Sequence, residues 1–134
     1  MSEFDKSENA AEGDRVVLVY ATAPSREVAE AIGRPLVEAG LAACVNIIPG
    51  MVSIYRWDGS IATDAEVVVL AKTRRALAPR VMAEIGARHP YTTPALLVLP
   101  VSGGSPAFLD WIERETAASA EVGATISSSS GSGC

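Results

Sequence analysis

The chain contains a single histidine, His89, two widely separated cysteines, Cys44 and Cys134, and one lysine in its central region, Lys72. Imidazole can carry a proton or ligate a metal, and a thiolate can act as a nucleophile. His89 falls in HPYTTP. As a metal ligand it would need two or three further nitrogen, sulfur or oxygen donors, and no H-x₃-H or C-x₂-C spacing surrounds it. The residues favour a helix-terminal donor or a packing residue. Cys44 lies in LAACVNI, among apolar neighbours, and reads as a small buried hydrophobe. A nucleophilic role would need an adjacent base or cation, which the sequence does not place there. Two cysteines so far apart make no disulfide framework, and a reducing cytoplasm is the expected compartment.

Trp57, Asp58, Glu66 and Lys72 fall along the two arms of a predicted hairpin. Glu66 and Lys72 are an even number of residues apart, so a regular strand puts them on one face. They either secure the hairpin or a subunit boundary, or line a polar cleft between subunits; the residues leave both open. The stretch ATAPSR brings Arg26 to a helix start, where anions bind readily. A phosphate-binding hydrolase would use such a loop, with Asn46 positioning a water. The loop lacks the glycines and the crowd of donors that this needs. No base, nucleophile and oxyanion donor converge, so no catalytic residue is assigned and the chain is not expected to be an enzyme.

The elements that must position these residues follow from periodicity. Arg15 to Thr22 (RVVLVYAT) is a short β-branched run bounded by Pro24, the pattern of a buried strand. Ser25 offers an N-cap oxygen. Val28, Ile32, Leu36 and Ala39 then recur at helical spacing up to Gly40, with Pro35 predicting a kink. Leu41 to Trp57 is strand-like, with a bulge expected at Pro49-Gly50 because proline cannot donate to a ladder. Asp58-Gly59 is a type I′ hairpin signal, and Ile61 to Thr73 forms the return arm. A second helix is predicted from Ala76 to Arg88, with Pro79 in its first turn and Leu77, Val81, Met82 and Ile85 on its apolar face. A fourth strand spans Pro94 to Val101, and Ser105-Pro106 caps a third helix carrying Phe108, Leu109, Trp111 and Ile112.

The order predicts an α+β, ferredoxin-like βαββαβ sandwich with an extended central hairpin and a C-terminal helix. Four strands and two helices leave one sheet face uncovered, and a long hairpin can pair with a neighbour, so an obligate oligomer is expected. The fold itself specifies no activity.

The formal net charge of −5 belongs to the ends of the chain. Residues 15–116 hold ten acids and ten bases, whereas residues 1–14 carry five acids and one base. A neutral body without a basic stripe argues against nucleic acid and against an anionic membrane surface. No apolar run approaches the ~18 residues of a membrane span, and the first residues have no secretory pattern. The expected organisation is a disordered acidic tail over 1–14, one domain over 15–116, and a flexible Ser/Gly-rich tail over 117–134. Removing 1–14 or 118–134 is expected to change neither melting nor assembly. Cys134 reads as either a native residue or an attachment handle.

ATAPS, GLAACVNIIPGMVSIYRWDG, EVVVLAKT and HPYTTPALLVLPV follow one another in an order that resembles the CutA divalent-cation tolerance family, across about residues 15–116. The resemblance implies a small cytoplasmic homotrimer, similar in fold and assembly to the PII signalling proteins, that belongs to the response to metal ions. The copper ligands proposed for some bacterial members are a cysteine before T-A-P, the residue before the HPY histidine and a glutamate after the T-P pair. Here those positions hold Ala21, Arg88 and Ala95. Alanine cannot coordinate a cation and arginine brings a fixed positive charge. His89, Cys44 and Glu66 are left as possible donors, of which only His89 and Glu66 are expected to be reachable by copper or zinc. A PII-like sensor is the alternative, holding a small anionic ligand in inter-subunit clefts lined by Trp57, Lys72, His89 and Tyr91. A trimeric scaffold without activity is the third reading.

Overall fold

A computed structural model describes residues 16–116 and 133–134; the predicted tail over 1–14 and all but the last two residues of the predicted tail over 117–134 lie outside the described residues. The elements run β1 (Val16–Ala23), α1 (Arg26–Glu38), β2 (Cys44–Trp57), β3 (Ser60–Arg74), a 3₁₀ turn (Arg75–Leu77), α2 (Ala78–Arg88), β4 (Leu96–Pro100) and α3 (Pro106–Glu115). The four strands form one antiparallel sheet in the order β2-β3-β1-β4. This is the predicted ferredoxin-like α+β arrangement.

Local chemistry accounts for the element ends. The Ser25 hydroxyl accepts from the Val28 amide at 3.1 Å, meeting one of the donors that a helix start leaves unpaired. Past the other end of α1, Gly40 takes φ 73°. Ser105 caps α3 in the same way, with Pro106 in the first turn. Asp58 and Gly59 have φ of 56° and 81°, the two positive values that a type I′ turn requires. The ladder between β2 and β3 shifts register between Ile48 and Met51, so the bulge falls at Pro49-Gly50 as expected. Two boundaries are corrected: β4 is shorter than Pro94–Val101, and Ala39 is exposed at the end of α1 instead of lying on its apolar face.

The core lies between the sheet and the first two helices. Val17, Val19 and Ala21 of β1 and Val67, Val69 and Ala71 of β3 pack against Ile32, Leu36, Val81 and Ile85. Alternate residues of β3, from Glu66 through Val68, Leu70 and Lys72 to Arg74, are only half-buried and occupy the opposite face. The third helix covers one corner of that face, where Ile112 is buried beside Val16 and Ala43 and flanked by Phe108 and Trp111. The outer part of the hairpin extends past β1, which pairs with β3 only from Val67 to Arg74.

Candidate functional site

His89 occupies the C-cap of α2 and is 9% exposed. The Tyr91 amide donates to its Nδ1 at 3.1 Å, which fixes the proton on Nε2, and Nε2–H donates to the Thr22 carbonyl at 2.7 Å. Both ring nitrogens are therefore engaged. The expectation that a cation reaches His89 is corrected on this point: the ring is buried and has no free lone pair. Its neighbour Arg88 pairs with Glu84 one turn earlier on α2.

Next to His89, Tyr91 packs its ring at 4.8 Å between centroids. Partial burial raises the Tyr91 phenol above its ordinary range, and the negative charges of Glu66 and Asp64 add to the shift. Those carboxylates sit on the outer hairpin. Ser53 donates to Glu66 Oε1 at 2.8 Å, and Tyr55 donates to Asp64 Oδ2 at 2.5 Å. The hydrogen bond to Asp64 is the main cause of the raised Tyr55 phenol. The sequence reading missed Ser53, Tyr55 and Asp64. They were legible as cross-strand partners, since Ser53 lies opposite Asp64 and two positions along from Glu66 once the bulge register is counted.

Lys72 lies about 20 Å further along β3 from Glu66 by strand rise. It stands opposite Cys44 in the ladder, with Nζ 3.5 Å from Cys44 Sγ. Nζ also donates to Asn46 Oδ1 and lies 5.8 Å from the centre of the Phe108 ring. Burial pushes its ammonium below the ordinary lysine range. Cys44 forms a disulfide with Cys134, with Cα atoms 6.0 Å apart. The expectation of unlinked cysteines is corrected: the chain end returns to the start of β2, a closure that no local spacing reveals.

The predicted cleft residues therefore fall in three places. His89 and Tyr91 pack together, with the Glu66 charge acting on the Tyr91 phenol, Trp57 is 71% exposed at the hairpin tip, and Lys72 is at the opposite end of the sheet. Among the described residues no group of three or more His, Cys, Asp or Glu side chains is placed to hold a metal. Arg26, the anion-loop candidate, is paired with Glu30 at 3.0 Å. A shallow groove of about 310 Å³ between α1 and β2, lined by Gly33, Arg34, Val37, Val45 and Ile47 among others, includes none of the predicted cleft residues.

Sheet order, projecting hairpin and the buried HPY histidine define a ferredoxin-like α+β domain with an extended central hairpin. A family model for the CutA1 divalent ion tolerance protein matches residues 17–115, and the chain belongs to that family. It is 46% identical over 103 residues to the divalent-cation tolerance protein CutA of Thermus thermophilus, covering 77% of this chain and 98% of that protein. Identity to the chloroplastic CutA of Arabidopsis thaliana is 38% over 100 residues, covering 75% of this chain but only 55% of the relative. The crystal structure of CutA from Xylella fastidiosa superposes with a TM-score of 0.75 at 41% identity, covering 77% of this chain and 99% of that one. That of CutA1 from Oryza sativa gives 0.75 at 34% identity, covering 80% and 98%. Among the described residues no helix is long and apolar enough to cross a membrane.

Proposed function

We propose that this chain acts as a cytoplasmic homotrimer in the response to divalent metal ions, and that it binds copper or zinc weakly through the hairpin carboxylates Glu66 and Asp64. The carrying observation is the hairpin itself. Val52, Ile54, Trp57 and Ile61 are exposed on it, and Leu97 and Leu99 are exposed on β4. Burying a large apolar side chain contributes about 1.5–3 kcal/mol, so such a set favours association with further copies of the same chain. Among the described residues the two carboxylates have Ser53 and Tyr55 as their hydrogen-bond partners, which gives a cation too few ligands for tight binding within one protomer.

Native mass spectrometry of the full chain, with and without excess copper or zinc, tests both parts. A mass of three chains with ion uptake that is lost in Glu66→Gln is the expected result. A single-chain mass removes the trimer, and a trimer that takes up no ions removes the cation.

One observation favours the sensor reading as second. Among the described residues no carboxylate lies within ion-pair distance of Lys72, so its ammonium is available to a small anionic ligand. Uptake of an anion that Lys72→Met abolishes would favour this reading over the cation.

A further inference from the structure

We propose that Cys44 and Cys134 form a reversible thiol–disulfide site whose partners are small-molecule thiols of the glutathione class, with Lys72 positioned to support the Cys44 thiolate. The two sulfurs are unequal. Cys44 is 6% exposed at the start of β2, whereas Cys134 is exposed. Each sulfur also has its own N–H donor. Lys72 Nζ is 3.5 Å from Cys44 Sγ, and Asn46 Nδ2 is 3.6 Å from Cys134 Sγ. Asn46 links the two, because its Oδ1 accepts from Lys72 while its amide reaches Cys134. Phe108 lies over the ammonium from α3.

This asymmetry sets the direction of exchange. An incoming thiolate reaches the exposed Cys134 sulfur and forms a new S–S bond there. The Cys44–Cys134 bond breaks, and its electron pair leaves on Cys44 Sγ beside the Lys72 ammonium. A second small thiolate then attacks the small-molecule sulfur of that mixed disulfide, forming the small-molecule disulfide as the Cys134–sulfur bond breaks and its electron pair leaves on Cys134 Sγ. The balance is one protein disulfide and two thiols giving one protein dithiol and one small disulfide. In the reverse direction the Cys44 thiolate attacks Cys134 carrying the mixed disulfide and expels the small thiolate. A nearby cation lowers a thiol's pKa, and a lower leaving-group pKa speeds departure. Lys72 therefore acts on the rate through Cys44, as a positioning residue.

The test follows reduction of the oxidised full chain by excess reduced glutathione, with alkylation at timed intervals and mass analysis of the peptides. The expected course is a transient glutathione adduct on Cys134, not on Cys44, followed by two free thiols. Lys72→Met should slow the first step roughly threefold to tenfold, and Lys72→Arg should restore most of the rate. Matched circular dichroism keeps a folding defect separate from a rate effect. Three results would overturn the proposal: an adduct on Cys44, equal rates in wild type and Lys72→Met, or an oxidised sample linked only between chains.

Discussion

The imidazole of His89 donates to the carbonyl of Thr22 at 2.7 Å, so the end of α2 is tied to the penultimate residue of β1 across 67 positions of chain. Nδ1 takes the Tyr91 amide at the same time. The ring is thus a bracket between two elements, and its removal leaves a buried carbonyl without a partner. His89→Ala should cost about 2–4 kcal/mol, from the unmet acceptor and the lost packing. At the usual scaling for a domain of this size, about 4–8 °C per kcal/mol, calorimetry would register a melting point lower by about 8 °C or more. An unchanged melting point would leave the bracket without energetic weight.

Gly33 on α1 approaches β2 closely: a Cβ built there would lie 3.0 Å from Val45 Cγ1. Alanine normally favours a helix over glycine by about 1 kcal/mol. Here the added methyl forces Val45 to shift, at about 1–3 kcal/mol. Gly33→Ala should therefore destabilise by about 1 kcal/mol. In a Val45→Ala background, where the contact is gone, the same change should stabilise. Denaturant unfolding of the four proteins in this cycle checks the reversal of sign.

Much of this architecture was legible in the sequence because it follows from local chemistry. Asp58-Gly59 specifies its turn by the positive φ it tolerates, and Pro49-Gly50 places the bulge because proline lacks a donor. Ser25 and Ser105 mark helix starts by the oxygen they supply. The site was less legible because its relationships are long-range. Glu66 and Lys72 share a face, as the spacing requires, yet stand at opposite ends of it. That His89 is closed to ligands depends on Thr22, an element away. Cys44 meets Cys134 across a separation of 90 positions, a pairing that no periodicity describes.

Val68 and Val69 are adjacent on β3 and face opposite sides of the sheet. Val69 is fully buried against the helices, whereas Val68 is half-buried on the face that no first- or second-helix residue covers. Val69→Asp should unfold the chain, because an unpaired charge in the core is not tolerated. On the proposed trimeric assembly, Val68→Asp should leave a folded chain of single-chain mass. Light scattering gives the mass and circular dichroism the fold. A Val68→Asp protein that still runs as three chains would exclude this face as the interface.

Burial holds the Lys72 ammonium below the ordinary lysine value of 10.5. The unfolded chain therefore binds more protons than the folded one between the lowered and ordinary values. Stability from this group rises with pH through that window. The raised Tyr55 and Tyr91 phenols act in the opposite sense above their ordinary value of 10.0, since the folded chain then keeps protons that the unfolded chain has lost. The difference between wild type and Lys72→Met isolates the lysine. Between neutral pH and about 10, wild type should gain stability relative to the variant in denaturant titrations; a flat difference would remove the desolvation effect.

Deleting residues 118–134 removes Cys134 and with it the cross-link to Cys44, which joins residues 90 positions apart. Such a cross-link stabilises mainly by restricting the unfolded chain, typically by about 2–4 kcal/mol. The truncated chain should therefore unfold at lower denaturant than the oxidised full chain, which replaces the expectation from composition alone that losing 118–134 leaves melting unchanged. The two should unfold alike once a reducing agent is present, because the full chain then has no cross-link to lose. Cys134→Ser in the otherwise full chain should match the truncation under both conditions. If the truncation stays less stable than Cys134→Ser, residues 118–133 contribute contacts of their own and the disulfide is only part of the effect.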